Sequence, residues 1–305
     1  MTTAYSQISA NRTKTWVLMF VFTFFVLAVA YLISLALGYR GGSALTILGF
    51  FLIVTGLMNF FSYYYSDKLV IAMSGAAPVE KKDAPQLFRI VENLSIAQGI
   101  PMPKVYLIDD PVPNAFATGR DEKHAAIAAT KGLLERLDNL ELEGVIAHEL
   151  SHIKNYDSRV MSVVVVLVGV IAVLSDFFLR IQWYGGFGRS NDREGRQGAA
   201  IFMVLALFAA ILAPIAAQLI RFAISRKREF LADASGALLT RNPDGLAAAL
   251  EKIAQYAAPV KYASAATAHL YISNPLGGKK PASKLLGLFN THPPIEERIK
   301  ILRAM

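Results

Sequence analysis

Cysteine is absent from this chain of 305 residues. A disulfide-stabilised fold, iron–sulfur clusters, thiolate metal sites and cysteine nucleophiles are therefore excluded. Any metal must be bound by histidine, aspartate or glutamate side chains. Charged residues are also scarce: they make up 18% of the chain, whereas an ordinary soluble domain has about 25%.

Apolar residues take the place of the missing charge. They make up 54% of the chain, and the mean hydropathy is +0.41, which excludes disordered, collagen-like and coiled-coil chains. The net charge of +8 fits either a nucleic acid or an anionic lipid surface. Together with the apolar excess it favours a lipid bilayer as the partner, and we expect no nucleic-acid partner.

Two apolar windows near the N-terminus predict a helical hairpin in a membrane. No charge occurs between Lys14 and Arg40, or over residues 41–66. Each window exceeds the roughly 20 residues that span a hydrocarbon core. We therefore expect a retained membrane anchor over residues 15–66.

A second pair of apolar segments predicts another hairpin. Residues 199–220 are charge-free and long enough to span a bilayer. Residues 160–175 form a weaker segment, which Asp176 is expected to end. The stretch 182–198 between them is rich in glycine and charge and is predicted to be a loop.

These segments divide the chain into alternating membrane and soluble parts. The predicted parts are a first membrane hairpin over 15–66, a soluble part over 67–158, a second hairpin over 159–221 and a soluble part over 222–305. Lys and Arg flank the segments more often on the side of the N-terminus. Both soluble parts are therefore predicted to face the cytoplasm from a multi-pass membrane protein.

Residue patterns in the soluble parts predict an α+β domain, mainly α with a small β-sheet, beside a four-helix membrane part. Strands are expected over 104–108, 115–118 and 125–130. Helices are expected over 83–98, 133–137, 142–155 and 294–303.

The run from Ala147 to His152 contains the pattern His-Glu-x-x-His in a helical stretch. Residues four apart lie on one face of a helix, so His148 and His152 can bind one metal ion. Glu149 lies beside them, where it can take a proton from a metal-activated water. The alternative is a surface helix with two solvated histidines.

A catalytic zinc site usually has three protein ligands, so one more His, Asp or Glu is needed. Glu229 is the best candidate, because it follows the fourth apolar segment and precedes apolar Phe230 and Leu231. Asp233, on the same helical face, suits a carboxylate that accepts a ring N–H from a ligating histidine. Spacing alone leaves Glu229 equally open to being an ordinary charged helix residue. The site also requires that the third and fourth apolar segments both span the membrane, or that neither does.

Five stretches of the chain carry a resemblance to a known family. They are Asn114 to Gly119, Thr130 to Leu134, His148 to His152 with Asn155 and Asp157, Glu229 to Asp233, and Thr291 to Pro294 with Arg298. In this order they resemble the HtpX-type membrane zinc metalloproteases. The resemblance runs from the first membrane segment to the C-terminus.

The resemblance implies a gluzincin-like catalytic domain in the cytosol beside the cell inner membrane, with one zinc ion per chain. By position, it makes His148, His152 and Glu229 the zinc ligands, Glu149 the catalytic base and Asp233 a carboxylate behind the ligands. The implied substrates are damaged or misassembled membrane proteins. The implied setting is stress response and protein quality control, with other membrane quality-control proteases as further partners.

Substrate binding and transition-state stabilisation are also implied by the resemblance. Residues Asn114, Ala115, Phe116 and Ala117 are similar to an edge strand that binds an extended substrate through its main chain, and a plain hairpin strand is the alternative. His292 is implied as a donor to the oxyanion, with Arg298 orienting the site. Residues 291–294 can equally be only a turn that leads into a helix.

His124 and His269 have no partner at ligand spacing, and both are predicted to be ordinary surface or loop histidines. The predicted function is hydrolysis of peptide bonds by an integral membrane zinc endopeptidase. Its rival is a catalytically silent membrane scaffold or holdase that keeps zinc for structure.

Overall fold

The computed structural model describes residues 4–36, 39–184, 226–256, 258–264, 266–277 and 293–305. It begins with two long helices, α1 (Ala4–Ala36) and α2 (Gly42–Met73). Both are long and apolar enough to cross a membrane, and they form the predicted N-terminal hairpin. Asn59 of α2 donates a hydrogen bond of 2.7 Å to Thr23 of α1, so the two helices are also joined by a polar contact.

A four-stranded sheet follows the hairpin. Its strands are β1 (Ala76–Pro78), β2 (Lys104–Ile108), β3 (Ala115–Gly119) and β4 (Ala125–Thr130). The order across the sheet is β1-β2-β4-β3, with β2 and β4 parallel and the other pairs antiparallel. The three predicted strands are confirmed. The short β1 lacks an alternating pattern and was not predicted.

Seven further α-helices lie in the described residues. They are α3 (Pro85–Gln98), α4 (Lys131–Arg136), α5 (Asn139–Lys154), α6 (Asp157–Tyr184), α7 (Arg226–Thr240), α8 (Pro243–Ala254) and α9 (Ile295–Leu302). The mainly α fold with a small sheet is therefore confirmed. The largest core cluster lies where the sheet packs against α3, α5 and α8.

Helix α5 lies at the centre of this domain. Asp138 caps its first turn and Glu141 completes the capping box, which fixes where the helix begins. Two glycines allow other helices to approach it closely. A Cβ at Gly144 would lie 2.7 Å from the backbone nitrogen of Leu246 in α8, and one at Gly236 of α7 would lie 3.1 Å from that of His148. Helices α7 and α8 therefore pack directly on α5.

Helix α6 leaves α5 at a sharp bend of 80°, where Tyr156 adopts a positive φ of 60°. It continues past Asp176 to Tyr184, so Asp176 does not end the helix, and its expected place at the end of the apolar segment stays a prediction. Among the described residues, two helices can cross a membrane, or three spans exist if α5 and α6 together form one bent span. The fourth apolar segment, 199–220, and most of the predicted loop 182–198 lie outside the described residues. The four-helix membrane part and the exact domain boundaries stay predictions.

Candidate metal centre and active site

Helix α5 presents His148 and His152 on the same face, as their spacing predicts. Their Nε2 atoms lie 3.1 Å apart, and their rings are nearly perpendicular, with an interplanar angle of 87°. Both side chains are buried. The solvated surface helix that the sequence left open is therefore excluded.

Glu229 is brought to this pair by helix α7. Its Oε1 lies 3.6 Å from the Nε2 of His152, and its Oε2 lies 4.0 Å from the Nε2 of His148. One ligand atom from each of these three residues falls within 4.8 Å of the others. The close approach of α7 and α5 at Gly236 makes this possible.

These three residues fit a zinc ion. Nitrogen and oxygen ligands lie about 2.0–2.2 Å from zinc, so two ligands of one ion are at most about 4.4 Å apart. The two Nε2 atoms are 3.1 Å apart, and each lies within this limit of one oxygen of Glu229, His152 at 3.6 Å from Oε1 and His148 at 4.0 Å from Oε2. A buried set of two imidazoles and one carboxylate is also the donor chemistry that zinc favours.

A carboxylate stands behind each histidine. The Nδ1 of His148 lies 2.9 Å from Asp233, and the Nδ1 of His152 lies 3.2 Å from Asp157. An N–H at Nδ1 that donates to a carboxylate leaves Nε2 with a lone pair for a metal. The sequence predicted this position for Asp233. Asp157 was among the residues that carry the family resemblance but had no predicted role. An acidic residue five positions after His152 was a usable signal of a contact with that histidine.

Arg298 holds Asp233 through two hydrogen bonds, from Nε at 2.8 Å and from Nη2 at 2.7 Å. Burial alone would raise the pKa of Asp233, but the charge and hydrogen bonds of Arg298 lower it to about 2. Asp233 is therefore a carboxylate that can accept from His148. Arg298 is itself 1% exposed, and in this arrangement it holds Asp233 in place, while the orienting role that the resemblance implies for it stays a prediction.

The first membrane helix reaches the metal centre through Asp157. Asn11 of α1 donates to the Oδ1 of Asp157 at 2.8 Å, and Arg228 donates to the same oxygen at 3.0 Å. Asn11 also donates to the backbone oxygen of Asn155 at 2.8 Å. The two contacts of Asn11 join residues more than a hundred positions apart, and nothing in the local sequence around Asn11 indicates them.

Glu149 is buried beside the ligands, with 1% of its surface exposed. Within the part of the chain that the structure describes, its Oε1 has no hydrogen-bond partner. Burial raises the pKa of Glu149 to about 7, which is the range suited to a group that both takes and returns a proton near neutral pH.

Strand β3 lies at the edge of the sheet, as an extended-substrate site requires, but residues 270–273 cover its outer side. Ile272 donates its backbone N–H to the oxygen of Ala115 at 3.0 Å, and Phe116 forms an antiparallel bridge with Tyr271. Asn114 donates from its side chain to the oxygen of Ser273 at 3.0 Å. All of β3, including Ala117, is buried.

The remaining predicted histidines have different outcomes. His292 lies outside the described residues. His124 is at the surface, with its side chain 46% exposed and paired to Asp121, as predicted. The surface prediction for His269 is wrong, because this residue is 1% exposed in a short 3-10 helix, where its Nε2 lies 3.3 Å from the oxygen of Met161. Apolar neighbours at 268 and 270–272 were the missed signal of burial.

Two histidines from one helix, a glutamate from another and a buried glutamate beside the histidines are the arrangement typical of a metalloprotease site. The profile of Peptidase family M48 matches residues 81–305, and the chain belongs to this family. It is a metalloprotease hydrolase with helices suited to a membrane.

Comparison with curated proteins gives the same result over nearly the full length. The chain is 48% identical over 303 residues to the Protease HtpX homolog of Dictyoglomus thermophilum, covering 99% of this chain and 95% of that protein. It is 48% identical over 304 residues to the Protease HtpX homolog of Tropheryma whipplei strain Twist, covering 99% and 98%. The resemblance to HtpX-type proteases is confirmed. Among solved structures, that of S. mikatae Ste24p matches with a TM-score of 0.46 and 18% identity, over 95% of this chain and 67% of that one.

Proposed function

We propose that this membrane metalloprotease is a zinc endopeptidase in which Glu149 is the general base. The observation that carries the proposal is the convergence of His148, His152 and Glu229 within 4.8 Å directly beside the buried Glu149. This arrangement places a proton acceptor next to a group of metal ligands, as peptide hydrolysis requires.

The chemistry follows from the positions of these side chains. A zinc ion held by the three ligands supplies Lewis acidity towards the scissile carbonyl and towards water. Glu149 accepts a proton from the attacking water and returns it to the leaving amine, so the products are one carboxylic acid and one amine. Asp233 and Asp157 keep the ligand rings in one tautomer. His292 remains the proposed donor to the oxyanion.

Misfolded or damaged membrane proteins are the proposed substrates, and a multi-pass protein of the cell inner membrane with a cytoplasmic catalytic domain is the proposed setting. The contact of α1 with Asp157 supports a catalytic site close to the membrane, because it joins the candidate metal centre to the end of a candidate membrane helix. Main-chain pairing on β3 tolerates many side chains, which suits a quality-control enzyme. Other membrane quality-control proteases are proposed as functional partners.

Chelation tests the proposal against its rival, the silent zinc-binding scaffold or holdase. We expect the purified protein in detergent to contain one zinc ion per chain and to cleave casein and an unfolded membrane protein. Removal of the metal by a chelator should abolish cleavage, and added zinc should restore it. Elemental analysis and a gel-based cleavage assay measure both quantities. A zinc-loaded protein that cleaves neither substrate, but loses thermal stability on chelation, would support the scaffold instead.

Access of a peptide to the proposed site requires the covering segment to move. None of His148, Glu149, His152 and Glu229 is more than 4% exposed. The oxygen of Ala115, which an extended substrate would use for main-chain pairing, already accepts from Ile272. Arg298 also donates to the backbone oxygen of Ile272 at 3.0 Å. We infer that residues 270–273 leave β3 when substrate binds.

The variant Ile272→Ala is expected to lower KM for a peptide substrate by about 3- to 10-fold. It removes buried apolar contact that holds the segment closed, and a larger population of the open state raises the apparent affinity for substrate. The matched control is Ile253→Ala on α8, which removes the same atoms from the same core cluster without touching the segment. Steady-state kinetics on both variants measure the effect. Equal KM values for the two variants would show that the segment stays in place during binding.

A further inference from the structure

A cationic cavity lies at the end of α2 nearest the sheet, apart from the metal ligands. Its volume is about 350 Å³, within the range of small-ligand sites. The cavity is lined on one side by the last turns of α2 and on the other by the start of β2 and the turn between β3 and β4. Its charged lining consists of Lys68, Lys104, Arg120, Lys123 and Asp67, together with His124.

Positive charge in this cavity is not balanced by its own lining. Within the described residues, the ammonium groups of Lys104 and Lys123 make no hydrogen bond or ion pair. Arg120 is partly neutralised, since its Nε lies 3.4 Å from Asp121, and Asp67 is the one acid of the lining. Lysines that line one cavity and outnumber its acids repel one another, and an anion bound among them reduces this repulsion.

Aromatic residues of α2 place the cavity at the level of a bilayer surface. Phe60, Tyr64 and Tyr65 line it, and each is at least 40% exposed. The guanidinium of Arg120 lies 5.0 Å from the ring centroid of Tyr64 and donates to the backbone oxygen of Tyr64 at 2.9 Å. Tyrosines at the end of a membrane span are typical of the headgroup region.

The apolar surface of α2 continues from the cavity towards the N-terminal end of the span. Leu57, Phe61 and Ile53 are more than half exposed and suit contact with acyl chains. A ligand that combines a phosphate with acyl chains therefore matches both parts of this surface, whereas a free phosphate matches only the cations.

We propose that the cavity binds the phosphate headgroup of an anionic phospholipid, with its acyl chains along α2. Lys104 and Lys123 contact the phosphate oxygens from the sheet side, and Lys68 contacts them from the membrane helix. Because Lys123 follows β3 directly through the turn at Arg120, the bound lipid ties the edge strand of the protease domain to the bilayer surface. This lipid site is independent of the proposed peptidase activity.

Binding of phosphatidylglycerol by the full chain tests the proposal. The variant Lys104→Gln/Lys123→Gln is expected to bind it about tenfold more weakly than the parent in phosphatidylcholine nanodiscs titrated with the anionic lipid. The control Lys131→Gln/Lys300→Gln removes the same charge from exposed positions outside the cavity and should bind like the parent. Native mass spectrometry counts the bound lipid. Thermal unfolding in detergent shows that both variants are folded.

The outcomes separate a lipid site from a general effect of charge or a free-anion site. Equal loss of binding in both double variants would overturn the proposal, because net charge alone would then explain the affinity. Retention of parental affinity in the cavity variant would also overturn it. Competition by inorganic phosphate or glycerol phosphate at the concentration of the lipid would identify a free-anion site instead. Displacement only by another anionic phospholipid supports the proposal.

Discussion

The variant Glu149→Gln is expected to keep its metal and to lose peptide-bond cleavage by about 10²- to 10⁴-fold in kcat/KM, the contribution of a positioned general base. Glutamine has almost the shape of glutamate but cannot accept a proton from water. Loss of a hydrogen bond should not complicate the comparison at Oε1, since this oxygen has no partner among the described residues.

A zinc measurement and a control variant make this prediction specific to the general base. Elemental analysis should give the parental zinc content, because Glu149 is not one of the three converging ligands. The control variant Glu143→Gln makes the same change on the same helix α5, away from the ligands, and should cleave like the parent. If Glu149→Gln cleaved an unfolded membrane protein as fast as the parent, Glu149 could not be the base.

Local sequence patterns were sufficient for most elements of the fold. The strands β2 and β4 follow their predicted limits, because each is an apolar run with a polar turn at one end, after residue 108 for β2 and before residue 125 for β4. Helix α5 was predicted to begin at Leu142 but begins at Asn139. The capping box of Asp138 and Glu141 is a local signal that could have placed this boundary.

The histidine pair of the candidate metal site and the carboxylate of Asp233 behind His148 could also be predicted from the sequence, but the longer-range contacts around the site could not. Spacing places His148 and His152 together, since a helix sets their relation. Asn11 meets Asp157 through packing of a membrane helix against the domain, and the segment at Ile272 meets Ala115 across more than a hundred residues. Such contacts depend on how distant elements pack, and no periodicity within one element encodes them.

The fold also supports the proposed role of Glu229 as a metal ligand, which spacing alone left undecided. An ordinary helix carboxylate would be solvated, whereas Glu229 is 4% exposed and lies within 4.0 Å of both histidines. A buried carboxylate next to two imidazoles is stabilised by a shared cation. We therefore expect the variant Glu229→Ala to lower zinc affinity by more than about 100-fold, a larger effect than the loss of an outer hydrogen bond to a ligand.

A graded series makes the assignment of Glu229 testable. Asp233→Asn should weaken zinc binding by about 10- to 100-fold, because the amide still contacts His148 but no longer carries the charge that orients it. The control Glu251→Ala on α8 removes an exposed glutamate paired with Arg303 and should leave zinc affinity unchanged. Competition with a chromogenic chelator ranks the variants, and thermal unfolding reports whether each is folded. We expect the loss of zinc affinity to be largest for Glu229→Ala, which removes a direct contact with the metal, smaller for Asp233→Asn, which acts through a ligand, and absent for Glu251→Ala. Full zinc occupancy in Glu229→Ala, at the chelator concentration that strips Asp233→Asn, would exclude Glu229 as a ligand.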